Sequence, residues 1–95
     1  MTGPERTSAG LDDRRKRMLY RAWHRGTREM DLIMGRFADA HIADLSDADL
    51  AAFEKLSEMA DPDIYNWISG ERPTPAEHDT ALFRALCAFH ASGKP

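Results

Sequence analysis

The sequence is poor in the residues that build covalent and metal-based sites. Cys87 is the only cysteine among 95 residues, which excludes an internal disulfide and a cysteine-based metal cage. The six glycines are scattered and form neither a phosphate-binding loop nor a dinucleotide fingerprint. No apolar run approaches the roughly 20 residues that a membrane-spanning helix needs. We therefore expect a cytoplasmic protein in a reducing compartment, without a membrane span.

At 95 residues, the chain has the length of a single domain. Its first ten residues, MTGPERTSAG, have neither the apolar stretch of a signal peptide nor the Arg-rich pattern of a transit peptide. We expect residues 1–10 to form a disordered tail, residues 11–92 a single helical domain, and residues 93–95 a short C-terminal tail.

The charges are distributed unevenly, although the net charge is only -3. Residues 11–36 include eight basic and four acidic residues, whereas residues 37–79 include two basic and eleven acidic residues. The basic residues 14–17, continued by Arg21, Arg25 and Arg28, raise the alternative of a regulatory module, antitoxin-like or binding nucleic acid through its first helix. The acidic pI of about 5.7 and the absence of a typical recognition helix make nucleic acid an unlikely partner.

Apolar residues recur at spacings of three and four, which predicts an all-α protein. The first helix begins at Asp12 or Asp13 and ends before Gly26, a residue type favoured just after a helix. Thr27 caps the second helix, in which Gly35 has no evident purpose. The predicted buried residues of these two helices are Met18, Leu19, Ala22, Trp23, Met30, Ile33, Met34 and Phe37.

Three further helices follow, each with a start signal. Ser46 caps the third, with Leu45 and Leu50 placed as a hydrophobic staple. Asp61 caps the fourth, with Pro62 in its first position, and Thr74 to Glu77 form a capping box for the fifth. The predicted inward residues are Phe53, Leu56, Met59, Ile64, Trp67, Ile68, Leu82, Phe83, Leu86 and Phe89. Because the linkers are short, we expect a compact five-helix antiparallel bundle.

The residues that could carry catalysis do not form a recognisable constellation. His24, His41, His78 and His90 lack metal-ligand spacing, so each is interpreted as a surface or capping residue. Cys87 lies on the apolar stripe of the last helix, where a buried, inert thiol is expected. The acidic stretches lack the EF-hand pattern. We therefore predict no metal site and no enzyme activity.

One motif remains, Arg25-Gly26-Thr27-Arg28-Glu29, at the junction of the first two helices. Local structure explains each part, because Arg25 suits a helix C-terminus and Glu29 suits the first turn of the next helix. A second interpretation is a corner that presents one cation, one anion and a glycine without a side chain to a partner's backbone. The residues alone favour the structural interpretation.

The order and spacing of HRGTREMD, LSDADLAAF and DPDIYNW resemble the SdhE flavinator family, from about Leu11 to Pro73. The resemblance implies a five-helix bundle with an RGxxE motif on its surface. It also implies a chaperone-like factor that binds the flavoprotein subunit of succinate dehydrogenase or fumarate reductase. That subunit's own histidine would then attack the flavin 8α-methyl group. On this reading FAD is not bound tightly here, and the free chain is a monomer.

The resemblance also implies site residues. Arg25, Gly26 and Glu29 match the family's motif, and we predict that they contact the flavoprotein near its flavin, with His24 and Arg28 beside them. The family often has a second arginine where His24 stands, so one fixed charge is missing here. Residues of the DPDxxxW pattern are expected to be structural, as cap, first-turn proline and core aromatic: Asp61, Pro62, Asp63 and Trp67.

Overall fold

The computed structural model describes residues 8–93, which form five α-helices and no strand. The helices are α1 (Asp13–Trp23), α2 (Arg28–His41), α3 (Asp47–Ser57), α4 (Asp61–Ser69) and α5 (Ala81–Ala91). A 3-10 turn, Ala76–His78, lies between α4 and α5. The predicted all-α, five-helix bundle is therefore confirmed. Residues 1–7 and 94–95, which belong to the predicted tails, lie outside the described residues.

The core lies between α1, α2, α3 and α5. α1 packs on α2 and α3, and α5 packs on α2 and α3. Phe37 of α2 lies at its centre, with its ring edge-on to Phe53 and Phe89 at centroid distances of 5.6 and 5.8 Å. The predicted buried faces of α1 and α2 are confirmed in full. None of the helices within residues 8–93 is long and apolar enough to cross a membrane.

Local capping signals fix most helix starts. The side chains of Asp12, Thr27 and Ser46 each accept a hydrogen bond from the backbone N–H three residues on. The predicted caps at Thr27 and Ser46 are confirmed, and so is the predicted start of the first helix at Asp12 or Asp13. These bonds satisfy N–H groups that a helix leaves without an internal partner. Gly70, with φ of 83°, ends α4 in the left-handed conformation that favours glycine.

The predicted start of the last helix is wrong. Thr74 does not cap it; the chain forms the 3-10 turn instead, and α5 begins at Ala81 behind Thr80, whose hydroxyl accepts from the Phe83 N–H at 3.1 Å. The turn ends in His78, which is buried and stacks on Trp67 with ring centroids 5.3 Å apart. This tertiary contact also corrects one further prediction, because His78 is buried and is not a surface residue. Trp67 is half-buried and packs against the core.

Gly35 allows α1 and α2 to approach closely. A Cβ atom at this position would lie 2.3 Å from Cδ2 of Trp23, far inside van der Waals contact. The indole ring therefore occupies the space of the missing side chain, and its Nε1 donates a hydrogen bond to Asp39 at 3.0 Å. The glycine without an evident purpose in the sequence is explained by helix packing.

Candidate functional site

The guanidinium of Arg25 turns inward at the corner between α1 and α2. Its Nη1 donates to the carbonyl of Ser57 at 2.7 Å, its Nη2 to the carbonyl of Met59 at 2.9 Å, and its Nε to Oδ1 of Asp61 at 2.8 Å. The Arg25 side chain is only 9% exposed. The interpretation that Arg25 presents a cation at the surface is therefore wrong, because all three nitrogens bond to the end of α3 and the start of α4.

Asp61 is the acceptor that organises this corner. Its Oδ1 pairs with Arg25, and its Oδ2 accepts from the backbone N–H of Gly26 at 2.7 Å. The predicted cap is wrong in detail, since Ala60 is the N-cap and Asp61 is the first helical residue. Each charge still lies at a favourable helix end, the cation at the C-terminus of α3 and the anion at the N-terminus of α4.

Gly26 lies in a crowded position, and its backbone conformation does not demand glycine. α1 ends at Trp23 with His24 as its C-cap, and Gly26 is not among the glycines with positive φ, so the predicted role after the helix is wrong. A Cβ at Gly26 would lie 3.1 Å from Oδ2 of Asp61. The missing side chain leaves room for the Asp61 carboxylate.

Two short-range bonds fix the corner to α2. The backbone N–H of Arg25 donates to Oδ1 of Asp31, and the hydroxyl of Thr27 accepts from the Met30 N–H at 3.2 Å. Sequence reasoning missed Asp31 and assigned Asp61 only a capping role. No local pattern signals a bond between residues 25 and 61, because the pairing depends on how α4 packs.

Every motif residue except Arg25 is exposed, and so is His24 just before the motif. The exposed residues with polar side chains that could reach a partner include Glu29, Arg28 and His24. Glu29 lies in the first turn of α2, where the helix dipole favours an anion. Neither Glu29 nor Arg28 forms a side-chain hydrogen bond or ion pair with another residue in the range 8–93. The His24 ring stacks on Tyr20 at a centroid distance of 3.8 Å, and its Nδ1 lies 2.7 Å from the Tyr20 carbonyl.

Two open cavities meet at Glu29. The α2–α5 groove has a volume of about 250 Å³ and is lined by Glu29, Leu32, Ile33, Arg36, Phe89, His90 and Gly93. The α2–α4 groove has a volume of about 200 Å³ and is lined by Thr27, Glu29, Met30, Asp61, Pro62 and Tyr65. Both are smaller than the roughly 300 to 1,000 Å³ of typical small-molecule sites. They suit individual side chains of a protein partner better than an enclosed dinucleotide.

Two arginines of the basic first helix are paired with other parts of the fold. Arg14 forms three hydrogen bonds with the carboxylate of Glu54, at 2.8 to 3.0 Å. Arg15 bonds to Asp12 and to the carbonyls of Ile42 and Leu45. Together with Arg25, three of the cations expected to contact phosphate are thus engaged in holding the fold. The exposed remainder is Lys16, Arg17, Arg21 and Arg28.

The side chains suited to covalent or metal chemistry are dispersed. Cys87 is half-buried, and burial raises the pKa of its thiol above the ordinary value, which lowers the fraction of reactive thiolate. Within the range 8–93, no three His, Cys, Asp or Glu side chains converge as a metal site would require.

The fold and the site define a class of protein. It is a small helical protein whose α1–α2 loop is hydrogen-bonded to α4, with an exposed glutamate beside two shallow grooves. The chain belongs to the family described as the flavinator of succinate dehydrogenase, which matches residues 16–90. This match confirms the resemblance seen in the motifs and extends it through most of α5.

Individual relatives agree with this assignment. The chain is 37% identical over 76 residues to the FAD assembly factor SdhE of Acetobacter pasteurianus, covering 80% of this chain and 70% of that protein. It is 34% identical over 85 residues to the mitochondrial succinate dehydrogenase assembly factor 2 of Dictyostelium discoideum, covering 90% and 60%. The corresponding mitochondrial factor 2-A of Drosophila yakuba is 36% identical over 85 residues, with coverage of 87% and 52%. The chain thus spans only about half to 60% of the two mitochondrial relatives.

Proposed function

We propose that this protein promotes covalent attachment of FAD to the flavoprotein subunit of succinate dehydrogenase or fumarate reductase by binding that subunit directly. The family match over residues 16–90 and the functions stated in the relatives' names support this role. The observation that carries the site is the contrast within one motif: Arg25 and Gly26 are tied to Asp61, whereas Glu29 is exposed and unpaired beside two grooves.

The motif residues therefore have two different roles, holding the corner and contacting the partner. Arg25 and Gly26 contribute to partner binding by holding the corner in one conformation, through their bonds with Asp61. Glu29 makes the direct contact, with Arg28 and His24 at its edge. A preorganised loop loses little conformational freedom when the complex forms, so more of the contact energy remains for binding.

On this proposal, FAD is held by the partner and not by this chain. The two grooves at Glu29 are too small to enclose a dinucleotide, and the Glu29 carboxylate would repel the FAD phosphates. The groups that form the covalent bond then belong to the flavoprotein, and this protein acts as a non-catalytic assembly factor.

The location and oligomeric state are part of the same proposal. We infer that the protein is cytoplasmic, is a monomer when free, and meets the flavoprotein subunit in that compartment. The named relatives include both a bacterial factor and mitochondrial factors, so the same contact would serve in either compartment.

Flavin fluorescence of the flavoprotein band on a denaturing gel tests the proposal. Cells lacking this protein are complemented with wild type, with Glu29→Ala, or with Glu71→Ala. Glu71 is a matched control because it is also an exposed glutamate, located after α4 and away from both grooves. We expect loss of covalent flavin in the deletion strain, recovery with wild type and Glu71→Ala, and failure with folded Glu29→Ala.

Two results would contradict the proposal in different ways. Undiminished flavin in the deletion strain argues against the function, and full recovery with Glu29→Ala argues against the site alone. The nucleic-acid alternative predicts that the purified chain binds unrelated DNA with steep salt dependence through Lys16, Arg17, Arg21 and Arg28. We expect no such binding at physiological ionic strength, because three other cations of this segment are already paired within the fold.

A further inference from the structure

The α2–α5 groove combines an apolar floor with charged ends. Ile33 is buried, and Leu32 and Phe89 are half-buried, so part of their surface remains open to solvent. Glu29 and Arg36 are exposed and line the same groove. Protein-binding surfaces commonly show this arrangement, an apolar centre with a polar rim.

The two rim charges are placed at a fixed spacing. Glu29 and Arg36 are seven residues apart on α2, so they lie on the same helix face about 10 Å apart along its axis. Neither forms an ion pair among the residues from Ser8 to Gly93. The groove is therefore negative at one end and positive at the other, with both charges available to a partner.

We propose that the α2–α5 groove binds one segment of the flavoprotein subunit, which presents an apolar side chain between a basic and an acidic residue. The basic residue pairs with Glu29, the apolar side chain lies on Leu32 and Phe89, and the acidic residue pairs with Arg36. This inference rests on the proposed function and adds the chemistry and the polarity of the bound segment.

Charge complementarity selects this occupant over others. A purely apolar segment would desolvate Glu29 and Arg36 without pairing them, which is costly. A phosphate-bearing ligand would pair with Arg36 but be repelled by Glu29 in a cavity of only about 250 Å³. A segment with opposite charges about 10 Å apart, two helical turns or three extended residues, matches both ends.

Binding of the full chain to the purified flavoprotein subunit is measured by calorimetry at two salt concentrations. The variants are Arg36→Glu, Leu32→Ser and the control Arg72→Glu. Arg72 is exposed and lies in the loop after α4, so its variant has the same change of charge away from the groove. We expect Arg36→Glu to weaken binding at least about tenfold, since it places like charges together, and Leu32→Ser to weaken it as well. Arg72→Glu should change it less than about twofold.

The outcomes separate this inference from the proposed function. If wild type supports flavin attachment and Glu29→Ala does not, while Arg36→Glu and Leu32→Ser bind like Arg72→Glu, the groove is not the docking site although the function stands. If wild type neither binds the subunit nor supports flavin attachment, the proposed function fails and the inference fails with it. Circular dichroism and thermal melting confirm that each variant is folded.

Cross-linking identifies the bound segment. A photoreactive amino acid replaces Leu32, and the cross-linked complex is digested and sequenced by mass spectrometry. We expect a flavoprotein peptide with a basic and an acidic residue flanking an apolar one. Reversing that acidic residue should restore binding to Arg36→Glu. A peptide lacking this pattern, or one from a second copy of this chain, would overturn the inference.

Discussion

Two arginine–carboxylate pairs connect the first third of the chain to the α3–α4 region, and they differ in their surroundings. Arg25 and Asp61 are 9% and 12% exposed and share further bonds with backbone groups. The side chains of Arg14 and Glu54 are 40% and 27% exposed and, within residues 8–93, form hydrogen bonds only with each other. The same chemistry therefore supports a precise corner at one end of α1 and only a surface tie at the other.

The largest effect should follow from removing the buried cation. Arg25→Ala leaves Oδ1 of Asp61 and two carbonyl groups without their donor, and we expect a loss of about 3–5 kcal/mol in the free energy of unfolding. Urea denaturation measures this loss. Arg14→Ala is the matched control, since it removes an arginine from the more exposed pair. Equal destabilisation by the two variants would contradict the comparison.

Replacing the buried anion should have the next largest effect. Asp61→Asn keeps the size of the side chain but removes the charge of the carboxylate that accepts from Arg25 and Gly26. We expect a loss of about 1.5–3 kcal/mol in the free energy of unfolding. Binding to the flavoprotein subunit should weaken in the same variant at a temperature where it remains folded. A stability loss with unchanged binding would show that Asp61 supports the fold without positioning the site.

A smaller change tests the crowding at Gly26. Gly26→Ala introduces a Cβ at 3.1 Å from Oδ2 of Asp61, and we expect a loss of about 1 kcal/mol as the carboxylate shifts. The double variant Gly26→Ala, Asp61→Asn should lose less than the sum of the two single variants, because both disturb one contact. Strict additivity in denaturation experiments would indicate that the glycine serves another purpose.

The smallest effect belongs to the exposed pair, and it depends on pH. Hydrogen bonds from Arg14 hold the pKa of Glu54 below its ordinary value of 4.5. A carboxyl group with a lowered folded-state pKa stabilises the protein above its unfolded pKa and loses that contribution as pH falls through the folded value. Glu54→Gln should therefore cost about 0.2–1 kcal/mol at pH 7, and the difference from wild type should shrink below about pH 4.5. Denaturation curves of both proteins across this range check the sign.

Sequence reasoning succeeded where the determining contacts are local. The start of α1 and the caps at Thr27 and Ser46 depend on bonds to residues only three positions away. The family was recognised from three short segments, and the match over residues 16–90 confirms it. The roles of Glu29, Arg28 and His24 in partner contact remain predictions, which the experiments above are designed to test.

The errors share one physical cause. The predicted start of the last helix at Thr74 is wrong because His78 stacks on Trp67 of α4, which is a contact between two elements. Gly26 and Asp61 were interpreted as helix-end residues because that is their commonest local role. In both cases a contact between distant residues outweighed a local preference of about 1 kcal/mol.

The sequence by itself determined the helical periodicity, most of the caps and the motif that marks the family, because each depends on neighbouring residues along one chain segment. Only the tertiary structure decided which motif residues are exposed. Arg25 reaches Asp61, 36 positions away, because the end of α3 and the start of α4 lie beside the α1–α2 corner. Burial and ion pairing at that corner depend on how the helices pack. A pattern of residue types along the chain does not show that Arg25 and Asp61 lie within hydrogen-bonding distance of each other.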